Sequence, residues 1–269
     1  MKFAFFGTPK FAAIILEKLI KSGMPPALVI CNPDKPAGRK QIITPPPTKI
    51  VAERHGIPVA QPEILDSNFQ LLVSGLDFAV VAAYAKILPQ AIIDIFPKGL
   101  LGVHPSLLPK YRGTTPIQSA ILSGETETGT TIFMLDEKVD HGEIVASSKY
   151  KVLSTDTYES LMEKLAELSG ELLVETLPKF VEGKIKPEAQ NEAAAMYTKK
   201  FKTEDAFVDL SKEDPVMLDR KIRALNPQPG AYTIIDGARI KILDRDTIQY
   251  EGKTPRKVKD SISYLKSLL

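Results

Sequence analysis

At 269 residues the chain exceeds the usual size of a single domain, so a large domain with a smaller companion is expected. An apolar fraction of 43% and a charged fraction of 25% sit at globular averages and exclude a disordered, collagenous or coiled-coil chain. The net charge of +2 is unevenly spread: residues 197–269 carry 15 Lys/Arg against 11 Asp/Glu, which makes the tail the basic part and marks it for an anionic partner or an ordinary solvated face. The longest apolar run, Phe78 to Ala85, is far short of the roughly 20 residues that cross a bilayer. Gly7-Thr8-Pro9 interrupts the apolar start before a signal-peptide core can form, so a cytoplasmic protein without a membrane partner is expected. The single cysteine, Cys31, excludes an intramolecular disulfide, and His55, His104 and His141 show no zinc-ligand spacing, so no metal is expected.

In chain order, strand-like apolar runs at Lys2–Phe6, Ala27–Cys31, Phe78–Ala82 and Thr130–Leu135 alternate with helix-period segments, which implies a mostly parallel sheet covered by helices. Phe11, Ile14, Ile15 and Leu19 repeat at helical spacing after Pro9 and form the first crossover helix. Between Thr157 and Val181, leucines recur at three- and four-residue steps up to Gly183, predicting the longest helix. The chain then turns polar, and residues 188–203 read as a linker between a domain at 1–187 and a small one at 204–269. There the spacing predicts a helix at Pro215–Leu225, a turn at Asn226-Pro-Gln-Pro-Gly230, and strands at Ala231–Ile235 and Ile240–Leu243 around Asp236-Gly237.

The first strand leads into Gly7-Thr8-Pro9, not G-x-G-x-x-G, so NAD is not expected. The next strand ends in a long basic loop holding Lys35, Arg39 and Lys40, placed where open sheets put ligands. It reads either as a clamp for an anionic or nucleic-acid partner or as a solvated excursion. Gly102-Val-His-Pro-Ser-Leu-Leu-Pro109 presents His104 at the end of a short strand, and Asp140 lies beyond the Thr130–Leu135 strand. A carboxylate near an imidazole holds its orientation and favours its charged form, as general acid/base work requires.

Four stretches, Pro33-Asp-Lys-Pro-Ala-Gly-Arg39, Ala83-Tyr-Ala-Lys-Ile-Leu-Pro89, Val103-His-Pro-Ser-Leu-Leu-Pro-Lys-Tyr-Arg-Gly113 and Val139-Asp-His-Gly142, resemble in order the methionyl-tRNA formyltransferase family, which uses 10-formyltetrahydrofolate. The resemblance implies an open Rossmann-like α/β sheet with helices on both faces, followed by a small OB-like β domain. It implies His104 as the catalytic histidine and Asp140 as the aspartate that orients it. It places Ser106, Leu107, Leu108 and Pro109, with Lys86, Ile87 and Leu88, on the folate, and Asp136, Glu137, Lys138 and Val139 in a loop closing on its formyl end. Initiator methionyl-tRNA is the implied partner, contacted by Lys35, Arg39 and Lys40 and by the tail residues Lys253, Arg256 and Lys257; a monomer is expected.

Two departures stand out. Gly102 occupies the position where the family has an asparagine whose amide stabilises negative charge on the formyl oxygen, and losing one such donor typically costs about 10² to 10³ in rate. The C-terminal domain is short: Gln249–Pro255 follows Ile240–Leu243 almost at once, so the OB-like barrel is expected to be truncated, with Arg256, Lys257 and Lys259 guarding its open edge. The alternatives are a sugar-nucleotide N-formyltransferase, with the same site and an amino-sugar acceptor, and an attenuated or inactive folate- or tRNA-binding homologue.

Overall fold

The computed structural model describes every residue except 39, 40 and 87, so the expectations at Arg39, Lys40 and Ile87 lie outside the described residues. The chain forms two compact units. One comprises 1–112, 129–150 and 163–196, and the other 113–128, 151–162 and 197–269. In order the elements are β1 (Phe3–Gly7), α1 (Lys10–Lys21), β2 (Leu28–Ile30), β3 (Lys35–Ala37), β4 (Ile42–Thr44), α2 (Pro47–Arg54), β5 (Val59–Ala60), α3 (Ser67–Val73), β6 (Phe78–Ala82), α4 (Gln90–Ile93) and β7 (Leu100–His104). There follow α5 (Pro116–Ser123), β8 (Glu127–Met134), β9 (Ile144–Lys151), α6 (Tyr158–Val181), α7 (Pro215–Leu225), β10 (Tyr232–Ile235), β11 (Ala238–Asp244), β12 (Thr247–Tyr250), β13 (Arg256–Lys257) and α8 (Ser261–Lys266).

The first unit is built on a seven-stranded sheet of order β5-β2-β1-β6-β7-β8-β9. It is parallel from β5 to β7, and β8 runs antiparallel to β7, as the alternating pattern implied. Strands β1 and β7 are buried at every residue, which is why they read as continuous apolar runs and not as alternating ones. On one face Phe6, Phe69, Tyr84 and Phe96 meet edge-on within a core that includes Val73, Ile92 and Leu100. Strand order reverses at β1, with β2 on one side and β6 on the other, and open sheets bind ligands outside the carboxyl ends at such a point. The close approach there requires Gly7: a Cβ on it would lie 2.6 Å from the Ala12 Cβ and 2.9 Å from the Ala82 carbonyl oxygen.

Two features depart from expectation. The basic loop is not without structure, since β3 and β4 form a hairpin with Ile42 and Ile43 each 62% exposed. Strand β9 was not legible because its middle, Ala146-Ser-Ser-Lys149, is small or polar and holds no β-branched or aromatic residue.

The second unit carries a four-stranded antiparallel sheet of order β10-β11-β12-β13. Helix α7 starts at Pro215, and the Asp214 carboxylate accepts from the Val216 and Met217 N–H groups, a standard cap. Its Leu218 and Ile222 bury with Ile240, Ile242 and Ile248. Beyond β11, β10 is bridged in parallel by Phe207 to Tyr232, with the Val208 N–H donating to the Tyr232 carbonyl at 2.7 Å, and the edge strand β13 is only Arg256–Lys257, charge that discourages edge-to-edge pairing.

Asp219 on α7 accepts from Arg223 Nε at 2.7 Å and from both Nε and an Nη of Arg245 at 2.9 and 2.6 Å. Burial pushes its carboxyl up, but these two guanidinium groups outweigh burial and hold it below its ordinary value. A depressed folded-state pKa contributes stability above the unfolded value near 4, which is lost as pH falls through the folded value. Thermal unfolding followed between pH 5 and 2 should therefore show a falling midpoint that Asp219→Asn flattens; an identical pH slope in both would show that the clamp contributes nothing.

Candidate active site

The stretch after β7 cannot be helical, with prolines at 105 and 109, and it folds back on β8 through one side chain. The Thr131 hydroxyl donates to the Ser106 carbonyl at 2.7 Å and accepts from the Leu108 N–H at 3.1 Å. Ser106, fully buried, donates its hydroxyl to the Lys110 carbonyl at 2.6 Å and closes the turn. Since Thr131 pairs with His104 across the two strands, the loop is tied to the same point from which the histidine projects.

His104 is 5% exposed. Its Nε2 lies 2.9 Å from the Tyr111 carbonyl oxygen, and a carbonyl can only accept, so Nε2 carries the hydrogen. Tyr111 takes a left-handed backbone, φ 60°, uncommon for a bulky residue and therefore stored strain at this turn. Nδ1 is then the basic nitrogen, and it faces the Asp140 carboxylate at 3.5 Å. The pair singled out in the sequence is thus brought together.

Asp140 sits at φ 49° in the loop 136–142. Gln190 holds this loop from outside, its amide donating to the carbonyls of Asp140 and Gly142 at 3.0 and 2.8 Å. Gly142 has no alternative, since any Cβ would collide with the Met134 carbonyl. The amide oxygen of Gln190 accepts in turn from Arg112 Nε and Nη2 at 3.1 and 2.7 Å. Arg112 is fully buried and also donates to Glu192, whose carboxyl those hydrogen bonds hold below its ordinary value. Within the loop, the Asp136 carboxylate caps the Lys138 N–H at 2.9 Å and lies 2.6 Å from His141 Nδ1. Glu137, Lys138 and Val139 are exposed.

The remaining candidates divide. Leu107 packs against Gly129, where a Cβ would lie 2.6 Å from a Leu107 methyl, and Leu108 is buried. Leu88 belongs to the core. Lys86 is not a free cation, because its ammonium donates to the Pro62 and Glu63 carbonyls at 2.7 and 3.1 Å. After β6 two alanines, Ala83 and Ala85, are left-handed on either side of Tyr84, whose buried hydroxyl has no partner among the described residues and whose pKa burial pushes up to about 12. Strain and an orphaned polar atom at the carboxyl end of β6 fit a segment shaped for a ligand. Lys35, Lys253, Arg256, Lys257 and Lys259 are exposed. Lys257 lines a cavity of about 710 Å³ in the second unit together with Arg223, Lys241 and Arg245. Among the described residues there is no group of three or more His, Cys, Asp or Glu that could hold a metal, and no helix long and apolar enough to cross a membrane.

Sequence reasoning did not find Tyr111, Thr131, Gln190 or Phe133. Tyr111 acts through its carbonyl, which any residue has. Gln190 lay in a stretch without periodicity. Phe133 matters through register: it pairs with Gly102, on the face that Gly102 shares with His104 two residues on.

Residues 1–177 match the family model described as formyl transferase, and residues 200–261 match formyl transferase, C-terminal domain. The methionyl-tRNA formyltransferase of Chloroflexus aurantiacus is 41% identical over 255 residues, covering 94% of this chain and 82% of that protein. The methionyl-tRNA formyltransferase of Nitrosomonas eutropha is 41% identical over 251 residues, covering 92% and 79%. Among solved structures, the N-formyltransferase of Helicobacter canadensis, in complex with folinic acid and dTDP-3-aminofucose, superposes with a TM-score of 0.65 at 20% identity, covering 90% of this chain and 86% of that one. At that identity the last comparison speaks to the fold alone. The chain belongs to the formyl transferase family, in both its N-terminal and its C-terminal parts.

Proposed function

We propose that the chain transfers the formyl group of 10-formyltetrahydrofolate to the α-amine of initiator methionyl-tRNA, acting as a monomer in the cytoplasm. The 41% identity to proteins named methionyl-tRNA formyltransferase supports the acceptor. The observation that carries the chemistry is His104, with Nε2 committed to the Tyr111 carbonyl and Nδ1 facing Asp140.

When bound, 10-formyltetrahydrofolate supplies the activated one-carbon group. His104 takes the proton of the attacking amine at Nδ1, the only ring nitrogen with a lone pair. Asp140 then faces the imidazolium so formed and stabilises it, and His104 returns the proton to the folate N10 as the bond from N10 to the formyl carbon breaks and tetrahydrofolate leaves. Gln190, through the Asp140 and Gly142 carbonyls, keeps that carboxylate in place. The Ser106–Pro109 turn and the Lys86–Leu88 segment are assigned to the folate, the 136–139 loop to its formyl end, and Lys35, Lys253, Arg256 and Lys257 to phosphates of the tRNA.

The rival acceptor is an amino-sugar nucleotide. Offered both together, the chain should formylate methionyl-tRNA at least tenfold faster than a dTDP-amino sugar, read by mass spectrometry of each product. The reverse preference overturns the assignment. A second expectation concerns the tail. Converting Lys253, Arg256, Lys257 and Lys259 together to Ala should weaken tRNA binding and reduce the slope of log K against log salt by about 3. An unchanged slope means that these charges only solvate the edge of the sheet.

A further inference from the structure

Leu100, Gly102 and His104 project from one face of β7, and Gly102 and Phe133 are direct cross-strand partners. Phe133 is 3% exposed, and its ring lies over the Gly102 Cα. A Cβ placed at 102 would be 2.5 Å from Phe133 Cζ and 2.8 Å from Leu135 Cδ1. Real Cβ atoms do not come so near. Leu135 offers only a methyl at the end of a flexible chain, which can turn away, whereas the Phe133 ring is rigid and almost wholly buried, so it has less room to yield. The volume over Gly102, on the face of β7 that it shares with His104, is therefore already occupied.

We infer that Gly102 and Phe133 are a matched pair that sets the rate of this site: the Phe133 ring fills the space over Gly102 that a side-chain amide donor at 102 would need. The donor can therefore be returned only by changing both positions. The inference rests on the formyl-transfer reading for its consequence in rate, and on packing alone for the pairing. Phe133 touches no reacting atom in this account. It acts by excluding from the site a group that would stabilise negative charge on the formyl oxygen, and by leaving an apolar wall in its place. A small residue opposite an aromatic ring is also a stable cross-strand arrangement, so the exchange of one donor for one ring keeps the strand pair intact.

The test is a double-mutant cycle on the full chain with Gly102→Asn, Phe133→Val and both together. Val keeps strand propensity and removes every ring atom that meets position 102. Two readouts are taken: the thermal midpoint, and single-turnover formylation of methionyl-tRNA with its dependence on tRNA concentration. Gly102→Asn alone should unfold roughly 5 °C lower, as overpacking does, and should react no faster than the starting chain. The double variant should recover most of that midpoint and react at least tenfold faster at saturating tRNA, with an unchanged half-saturating tRNA concentration. If Gly102→Asn alone is as fast as the double variant, or if the two losses in midpoint simply add, the pairing is overturned. A double variant that recovers its midpoint but gains no rate overturns the role of the pair in catalysis. Absence of formyl transfer in all four proteins overturns the formyl-transfer reading and with it the claim about rate, while the midpoints still decide the pairing.

Discussion

Replacing His104 by Ala is expected to lower single-turnover formyl transfer about 10³-fold, the middle of the range for a positioned acid/base group. Binding of tRNA should be unchanged. The magnitude follows from the division of labour between the two ring nitrogens. Nε2 is engaged with the Tyr111 carbonyl, which leaves Nδ1 as the nitrogen to which the proposed mechanism gives the proton transfer. Asp140→Asn should cost less, about 10²-fold, since the imidazole remains and loses only the charge 3.5 Å away. A His104→Ala protein that retains the original rate would remove the histidine from the chemistry, and an Asp140→Asn loss exceeding that of His104→Ala would reverse the roles.

The second large effect is expected at Arg112, the bulkiest fully buried side chain among the described residues. Arg112→Ala should destabilise the first unit by about 3 kcal/mol, the low end for breaking a buried charged network, because Glu192 keeps 56% of its side chain in solvent and rehydrates. The same change releases Gln190 and with it the Asp140 and Gly142 carbonyls, so turnover should fall roughly tenfold even at temperatures where the protein stays folded. Arg112→Lys should rescue neither property, since an ammonium cannot span the Gln190 amide oxygen and the Glu192 carboxylate as the planar fork does. Chemical denaturation paired with single-turnover rates checks both halves. A stable Arg112→Ala protein with full activity would show that the 136–142 loop holds itself.

The backbone of the first unit was legible because its chemistry is periodic. Phe78–Ala82 is a buried run in sequence and the strand β6 in the structure, and the leucine steps from Thr157 onward became the helix Tyr158–Val181. The helix Pro215–Leu225 was legible to the residue, because Asp214 and Pro215 mark its start. What stayed hidden depends on register and on backbone groups. No spacing rule says that residue 133 faces residue 102, because that follows only from how β7 and β8 slide against each other. Nor does composition reveal that the carbonyl of Tyr111 fixes the tautomer of His104, or that Gln190, in a polar stretch that read as a linker, hydrogen-bonds the loop of Asp140. The hairpin β3–β4 escaped because its strands are three residues each, one of them holding Pro36, and so fall below the length at which alternation can be read.

The central claim is that this site, with Gly102 in place of an amide donor, still moves a formyl group through His104. Single-turnover reaction of excess protein with methionyl-tRNA and 10-formyltetrahydrofolate carrying a labelled formyl carbon tests it most directly. The account predicts that label appears on the α-amine of methionine in an amount that approaches the tRNA supplied, and that it does so about 10³-fold more slowly with His104→Ala. Protein that binds both substrates yet leaves the methionyl-tRNA unlabelled would contradict it.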